Sequence, residues 1–360
     1  MGKSMLFFAT NRNLIERNGN VVDFGDLFNP INPQELRFGY VETDDCIPNG
    51  PVKQAKTIIN KVKNSRLSIT IYSEPKRFAK DDGARKIGSK TLFKNIAKEM
   101  GRGVPTLVFI HGYANKFREA VAAGIALQEL LRKDGLAINV VLFTWPSDGS
   151  NLQKAYFSDR QDASTSGMAF ARSFMKLRDF LADISRANAC NQPIHLLCHS
   201  MGNYVLEKTL REIHACMSVR FPRVFDEIIL AAADVDYDAF EYDHKLARLP
   251  ELGKRVNVYF NRGDKALVIS DLTKGNPDRL GHKGPRKPMD VSAGVVLLDC
   301  SEAVKDHLTS SEHAYFFDDR IRADIVNVLK GNRDENIPGR TYVASANTYL
   351  IRPADNAGGA

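Results

Sequence analysis

Six short, continuously apolar runs constrain this chain more than any other feature. They lie at residues 106–110 (TLVFI), 138–143 (INVVLF), 194–198 (IHLLC), 227–232 (EIILAA), 256–260 (VNVYF) and 294–298 (GVVLL). Helical patterns stand between most of them, clearest at 116–133, 167–187, 201–214 and 264–274. A strand without polar alternation is covered on both faces, and strands that alternate with helices pair in parallel. The expectation is an α/β chain with a mostly parallel central sheet and helices on both faces. In such open sheets, sites form at the carboxyl ends of the strands. The residues just after each run are therefore where chemistry is to be sought.

Before these runs the pattern is different. Residues 5–9, 36–41 and 67–72 read as strands, the first two separated by a stretch rich in Asn, Gly and Pro, and residues 91–100 as a short amphipathic helix. Residues 1–104 are accordingly expected to extend the sheet edge in antiparallel fashion, 105–330 to form the core, and 331–360 to be a tail that frays from Ala354 to Ala360. A chain of 360 residues with 43% hydrophobic and 26% charged residues builds a core without disulfide or metal support. The five cysteines (Cys46, Cys190, Cys198, Cys216, Cys300) form no C-x-x-C pair, and read as reduced thiols of a cytoplasmic protein. No signal-peptide core and no membrane-spanning run is expected. The net charge of +7 is spread among acids, which reads as a solvated surface rather than a nucleic-acid face.

After the third core run stands Cys198-His199-Ser200-Met201-Gly202, followed by a helical pattern. Small residues two before and two after a serine at a strand-to-helix turn describe a nucleophile elbow, in which a strained backbone exposes the hydroxyl. Cys198 takes the first small position, where glycine is usual. After the first run comes His111-Gly112-Tyr113-Ala114-Asn115, the place for an oxyanion loop, and after the second comes Trp145, the only tryptophan. Residues 150–166 read as a polar segment, long enough to fold over a site and equally able to be an ordinary surface connection. Asp234 and Asp236 follow the fourth run, Asp264 the fifth, and His307 and His313 the sixth. Ser, acid and His in that order is the order of one known fold, the α/β-hydrolases.

The segments FIHGYANKFREA (109–120), FTWPSDG (143–149), LLCHSMGNYVL (196–206), LAAADVDYDAF (230–240), YFNRGDKALVIS (259–270) and EHAYFF (312–317) resemble bacterial α/β-hydrolases of unknown function, in the esterase/lipase superfamily. The resemblance covers about residues 105–330. It implies the α/β-hydrolase fold, Ser200 as nucleophile, Asp264 as acid and His313 as base. In that fold the backbone N–H groups of Tyr113 and Met201 would be the oxyanion donors.

The chemistry follows from these residue types. A serine needs a base to take its proton, a neutral imidazole serves near pH 7, and a carboxylate fixes the imidazole tautomer. Asp236 remains an alternative acid and His307 an alternative base. His111, Gly112, Trp145 and His199 are candidate pocket residues, although Trp145 also suits the core and His111 a structural role. His195 reads as a hydrogen-bonded core residue and His282 as a surface one, while residues 274–288 read as a basic, solvated loop. No side-chain spacing suits a metal, and no cofactor is expected. The expected activity is hydrolysis of a carboxylic ester or thioester of a small-molecule acyl substrate. Alternatives are a catalytically silent binding scaffold of the same fold, or a peptidase or amidase using the same triad.

Overall fold

The computed structural model describes residues 4–44, 55–72, 88–149, 153–186, 192–216, 220–267, 278–304 and 313–352. The chain divides into two compact units, Met1–Lys133 with Ala137–Ile194, and Asp134–Leu136 with His195–Ala360.

The first unit contains β1 (Ser4–Thr10), β2 (Arg12–Arg17), β3 (Asn20–Phe28), β4 (Arg37–Thr43), α1 (Ala55–Asn64), β5 (Leu67–Ile71), α2 (Gly88–Met100), β6 (Thr106–Ile110), α3 (Phe117–Lys133), β7 (Asn139–Thr144) and α4 (Gln153–Arg186). Its sheet runs β6-β7-β1-β4-β5. The pairs β6/β7 and β7/β1 are parallel, and β1/β4 and β4/β5 antiparallel. The expected change of pairing at the N-terminal strands is thus present. The stretch between the first two expected strands also holds a hairpin, β2/β3. Its turn is Asn18-Gly19, both at positive φ (51° and 74°), which is the dipeptide a two-residue hairpin turn selects. Phe24 of this hairpin packs against Phe8 of β1 and Phe117 of α3, with ring centroids 5.5 and 4.6 Å away.

Residues 150–166 are a correction. From residue 153 onward they form the first half of the 34-residue α4 rather than a covering segment or a surface connection. The helical face at Ala155, Asp159, Ala163, Ser166, Phe170 and Phe174 is buried. Polar residues occupy two of those core-facing positions, so the apolar period is broken although the helical spacing is not. Ser166 Oγ accepts from Asn11 Nδ2 at 3.0 Å, and Asp159 is likewise bonded.

The second unit contains β8 (Ile194–His199), α5 (Gly202–Cys216), β9 (Phe225–Ala231), β10 (Gly253–Phe260), α6 (Leu280–Lys283), β11 (Val295–Asp299), α7 (Ser301–Val304), α8 (Asp319–Leu329), β12 (Arg340–Val343) and β13 (Thr348–Ile351). Its sheet runs β12-β13-β11-β10-β9-β8, parallel except for the last hairpin β12/β13. The part of the helical pattern at 264–274 beyond Leu267 lies outside the described residues. The stretch read as a tail carries β12 and β13, anchored by charge. Arg340 donates to both oxygens of Asp324 (2.7 and 2.8 Å), and Tyr259 of β10 donates to the same carboxylate at 2.6 Å. Such a bidentate, buried pair fixes register as well as position. Among the described residues no helix is long and apolar enough to cross a membrane.

Candidate active site

β8 ends at His199 and α5 begins at Gly202, so the chain reverses within two residues. Ser200 sits in that turn at φ +52°, a region that residues with a Cβ seldom occupy. The turn is held by the strand beside it. Ser200 N–H donates to Ala231 O at the end of β9 (3.0 Å), and Asp234 N–H donates back to Ser200 O (3.2 Å). Asn203, fully buried on the first turn of α5, adds its amide. Nδ2 reaches Ser200 O at 3.0 Å, Cys198 O at 3.1 Å and Ala231 O at 3.3 Å. Cys198 is buried, and burial pushes its thiol well above the ordinary range, so it is a packing residue.

Asp264, in the turn after β10, and His313, ahead of α8, converge on this serine. Ser200 Oγ lies 2.8 Å from His313 Nε2, and His313 Nδ1 lies 2.8 Å from Asp264 Oδ2. With Nδ1–H donating to the carboxylate, Nε2 is left to accept the serine hydroxyl proton. The other oxygen of Asp264 accepts from the N–H groups of Ala266 (3.1 Å) and Leu267 (3.2 Å), so the carboxylate is oriented before any ligand arrives. Burial opposes a charge on His313, but Asp264 outweighs it through its charge and its hydrogen bond. The net effect raises the imidazole above its usual 6.5.

The alternatives fare differently. Asp236 is engaged by Arg279 Nη1 at 2.5 Å and Lys245 Nζ at 3.1 Å. His307 lies outside the described residues. His282 is a correction, being buried with Nε2–H donating to Arg262 O at 3.0 Å. The reason is its neighbour Gly281, where a Cβ would stand 2.2 Å from Ala233 N. That contact draws α6 against the end of β9. His195 is buried and accepts from Glu227 N–H at 3.3 Å, and burial pushes it down to about 4. His199 is half-buried, and its Nε2–H donates to the carbonyl of His313 at 3.1 Å. Met201 is buried at the start of α5.

The remaining candidates belong to the first unit. His111 and Trp145 are closed to solvent, which corrects their reading as pocket-lining residues. Their rings stack 5.2 Å apart, and each fixes the other's backbone. Trp145 Nε1 donates to His111 O at 3.1 Å, while Trp145 N–H donates to His111 Nε2 at 3.3 Å. His111 Nδ1–H donates to Gly112 O at 2.7 Å. Burial, helped by the nearby Arg12 charge, pushes His111 down to about 3 and keeps it neutral. Gly112 is buried, and Tyr113 is half-buried with its ring 5.5 Å from Tyr156.

Sequence reasoning missed Tyr315. Its hydroxyl accepts from Ala232 N–H (2.7 Å) and donates to Tyr259 O (2.6 Å), joining the segment of His313 to the ends of β9 and β10. Its position two residues after His313 was the available signal. Asn203, at the second position of α5, lies inside the helical pattern at 201–214, which carries no signal of this role. Among the described residues no group of three or more His, Cys, Asp or Glu is placed to hold a metal ion.

A family model described as alpha/beta hydrolase of unknown function (DUF900) matches residues 85–333. No curated protein matches the chain. Among solved structures, the Pyrococcus horikoshii acylaminoacyl peptidase (orthorhombic crystal form) is similar at 13% identity with a TM-score of 0.25, covering 88% of this chain and 43% of the peptidase. The chain thus spans less than half the length of that peptidase.

Replacing Tyr315 with Phe leaves a buried N–H and a buried carbonyl without this partner. Each such loss costs about 1–3 kcal/mol, so Tyr315→Phe should lower unfolding stability by roughly 2–4 kcal/mol. Urea denaturation measures it, and a change below about 0.5 kcal/mol would remove the tyrosine from this role.

Proposed function

The chain belongs to the alpha/beta hydrolases of unknown function, and from that premise we propose that it is a serine hydrolase acting on carboxylic esters or thioesters of small-molecule acids. The observation that carries the reading is the line of two 2.8 Å contacts from Ser200 Oγ through His313 to Asp264. An unassisted serine hydroxyl is a poor nucleophile, and this arrangement supports its activation.

Ser200 Oγ attacks the acyl carbon as its proton passes to His313 Nε2, and the carbonyl oxygen becomes an oxyanion. The N–H group of Met201 receives that charge, with the positive end of α5 beside it. The imidazolium then gives its proton to the departing alkoxide or thiolate, leaving an acyl-enzyme. Water, with His313 again as base, attacks the acyl carbon and releases the acid and the free serine. Asp264 holds the tautomer throughout and stabilises the imidazolium without taking the proton. No cofactor takes part in these steps.

The direct test is Ser200→Ala on a chromogenic ester, with an expected kcat loss on the order of 10⁶-fold. Near-wild-type turnover by the purified variant sinks the proposal. The acid has its own test. Asp264→Asn retains a hydrogen bond but favours the wrong tautomer, at a cost of about 10⁴-fold in kcat. Asp236→Asn should lose far less, since Arg279 and Lys245 already occupy that carboxylate. The reverse ranking moves the acid one strand earlier.

A pH profile provides a further check. The base acts in its neutral form, so kcat/KM rises with pH through the His313 titration of the free enzyme. Because Asp264 raises that titration, the acid limb should have its midpoint above 6.5. A midpoint below 6.5 would show that the carboxylate does not govern the base.

A further inference from the structure

Residues 278–284 cross the ends of β9 and β10, and the inference drawn from them rests on the reading of Ser200, His313 and Asp264 as a triad. Opposite this segment runs the stretch that follows β9. Tyr237 N–H donates to Asp278 O, Leu280 N–H to Val235 O and Gly281 N–H to Ala233 O, each at 2.9 Å, and Asp236 and Arg279 stand opposite each other in antiparallel register. A peptide unit is planar, so a carbonyl with a fixed partner also fixes the N–H on the opposite side of the same plane. The carbonyl of Ala233 and the N–H of Asp234 share one such plane, and that N–H is the one that donates to Ser200 O at 3.2 Å. On its other side the segment holds the turn of the acid. Asn261 N–H donates to Gly281 O at 2.9 Å, His282 Nε2–H to Arg262 O at 3.0 Å, and Asp264 N–H to Asn261 O at 3.1 Å. The turns of Ser200 and Asp264 are thus tied to one short piece of chain.

We infer that Arg279 and Asp234 are positioning residues of the proposed triad, holding the Ser200 turn and the Asp264 turn in one frame. Both side chains are buried. Arg279 Nε lies 3.2 Å from Asp234 Oδ1, and its Nη1 donates to Asp236 Oδ1 at 2.5 Å. Burying a guanidinium is costly unless its fork is paired, and here both carboxylates sit on the stretch whose backbone meets the Ser200 turn. A lysine carries one compact charge and cannot meet two carboxylates in that fork geometry. Lys245 Nζ reaches the other oxygen of Asp236 at 3.1 Å, so Asp236 keeps a cation when Arg279 is replaced. Asp234 bears on the base as well. Among the described residues, the titratable groups facing His313 are Asp264 after β10, Asp234 after β9 and His199 at the end of β8. Burial opposes a charge on His313, Asp264 overcomes it, and the charge of Asp234 adds to the raise.

The experiment compares wild type, Arg279→Lys, Asp234→Asn and Ser200→Ala on p-nitrophenyl acetate across pH, with active serines counted by fluorophosphonate labelling. A small misplacement of reacting groups is costly, so Arg279→Lys and Asp234→Asn should each lose about 10- to 100-fold in kcat per labelled serine, with KM within about twofold. Asp234→Asn should also move the acid limb of kcat/KM to lower pH, because a charge that raises His313 is gone. Mere destabilisation would lower the number of labelled serines and leave kcat per serine and the acid limb in place. Removing one member of a buried pair strands a charge, whereas removing both does not. Should the single variants fail to fold, the double variant Asp234→Asn, Arg279→Gln should fold and show the same two changes. Folded variants with kcat per serine within about twofold of wild type, or an unmoved acid limb in folded Asp234→Asn, beside an inactive Ser200→Ala, overturn this inference alone. Ester hydrolysis surviving Ser200→Ala overturns it together with the reading it rests on.

Discussion

A serine at φ +52° occupies backbone space that costs a residue with a Cβ about 1–3 kcal/mol, and the second unit is arranged so that Ser200 stays there. The parallel pairing of β8 with β9 sets His199 opposite Ala231, which brings the Ala231 carbonyl under the Ser200 N–H. Asn203 closes the turn with one amide group shared among three carbonyls. At about 0.5–1.5 kcal/mol net per bond, these contacts together outweigh the strain. The strained turn is what brings Oγ to His313, because an extended serine at the end of β8 would send its side chain into the layer above or below the sheet.

The same logic extends outward from the turn. Ala232, one residue beyond β9, also lies at positive φ (48°), and its N–H ends on the Tyr315 hydroxyl. That hydroxyl reaches the carbonyl of Tyr259, and Tyr259 itself donates to Asp324 on α8. His199 meanwhile donates to the carbonyl of His313. The imidazole is thus set by bonds to the backbone and neighbours of its own segment as well as by Asp264. In the first unit, loop 112–115 is fixed by the same means, with Ala114 N–H donating to Asp159 at 3.1 Å and Arg12 donating to Asn115 O at 2.6 Å.

Much of this was legible in the sequence, for reasons that differ between residues. The core strands are continuously apolar because both faces are covered, and that leaves a plain trace. Ser200 and Asp264 stand just past the ends of β8 and β10, where backbone direction makes such positions readable, whereas Asp264 over Asp236 and His313 over His307 rested on the family resemblance. The hairpin at Asn18-Gly19 left a turn signal inside a stretch that read as loop. The first half of α4 was hidden because Asp159 and Ser166 take core-facing positions. A polar residue that satisfies a neighbour's backbone is indistinguishable in sequence from one that faces water. Arg12, His282 and Tyr315 were obscured in the same way, since each is defined by partners distant in the chain.

Two histidines show how environment divides one residue type into opposite roles. His111 is pushed down to about 3, first by burial and then by Arg12, while its Nε2 accepts from Trp145 N–H and so must remain unprotonated. Its stabilising contribution is complete above 6.5 and is lost as pH falls toward about 3. His313 has the reverse sign. Its titration is raised, so the stability it gains from Asp264 is present below 6.5 and fades as pH rises through the raised value. The form suited to act as base is therefore the one that Asp264 stabilises less. In the proposed reaction the imidazole takes the serine proton, and its contact with Asp264 becomes an ion pair. An interaction that strengthens as the reaction proceeds is the kind that lowers a barrier rather than merely tightening binding. In that proposal the Asp264–His313 contact contributes most at the moment when charge develops on the ring.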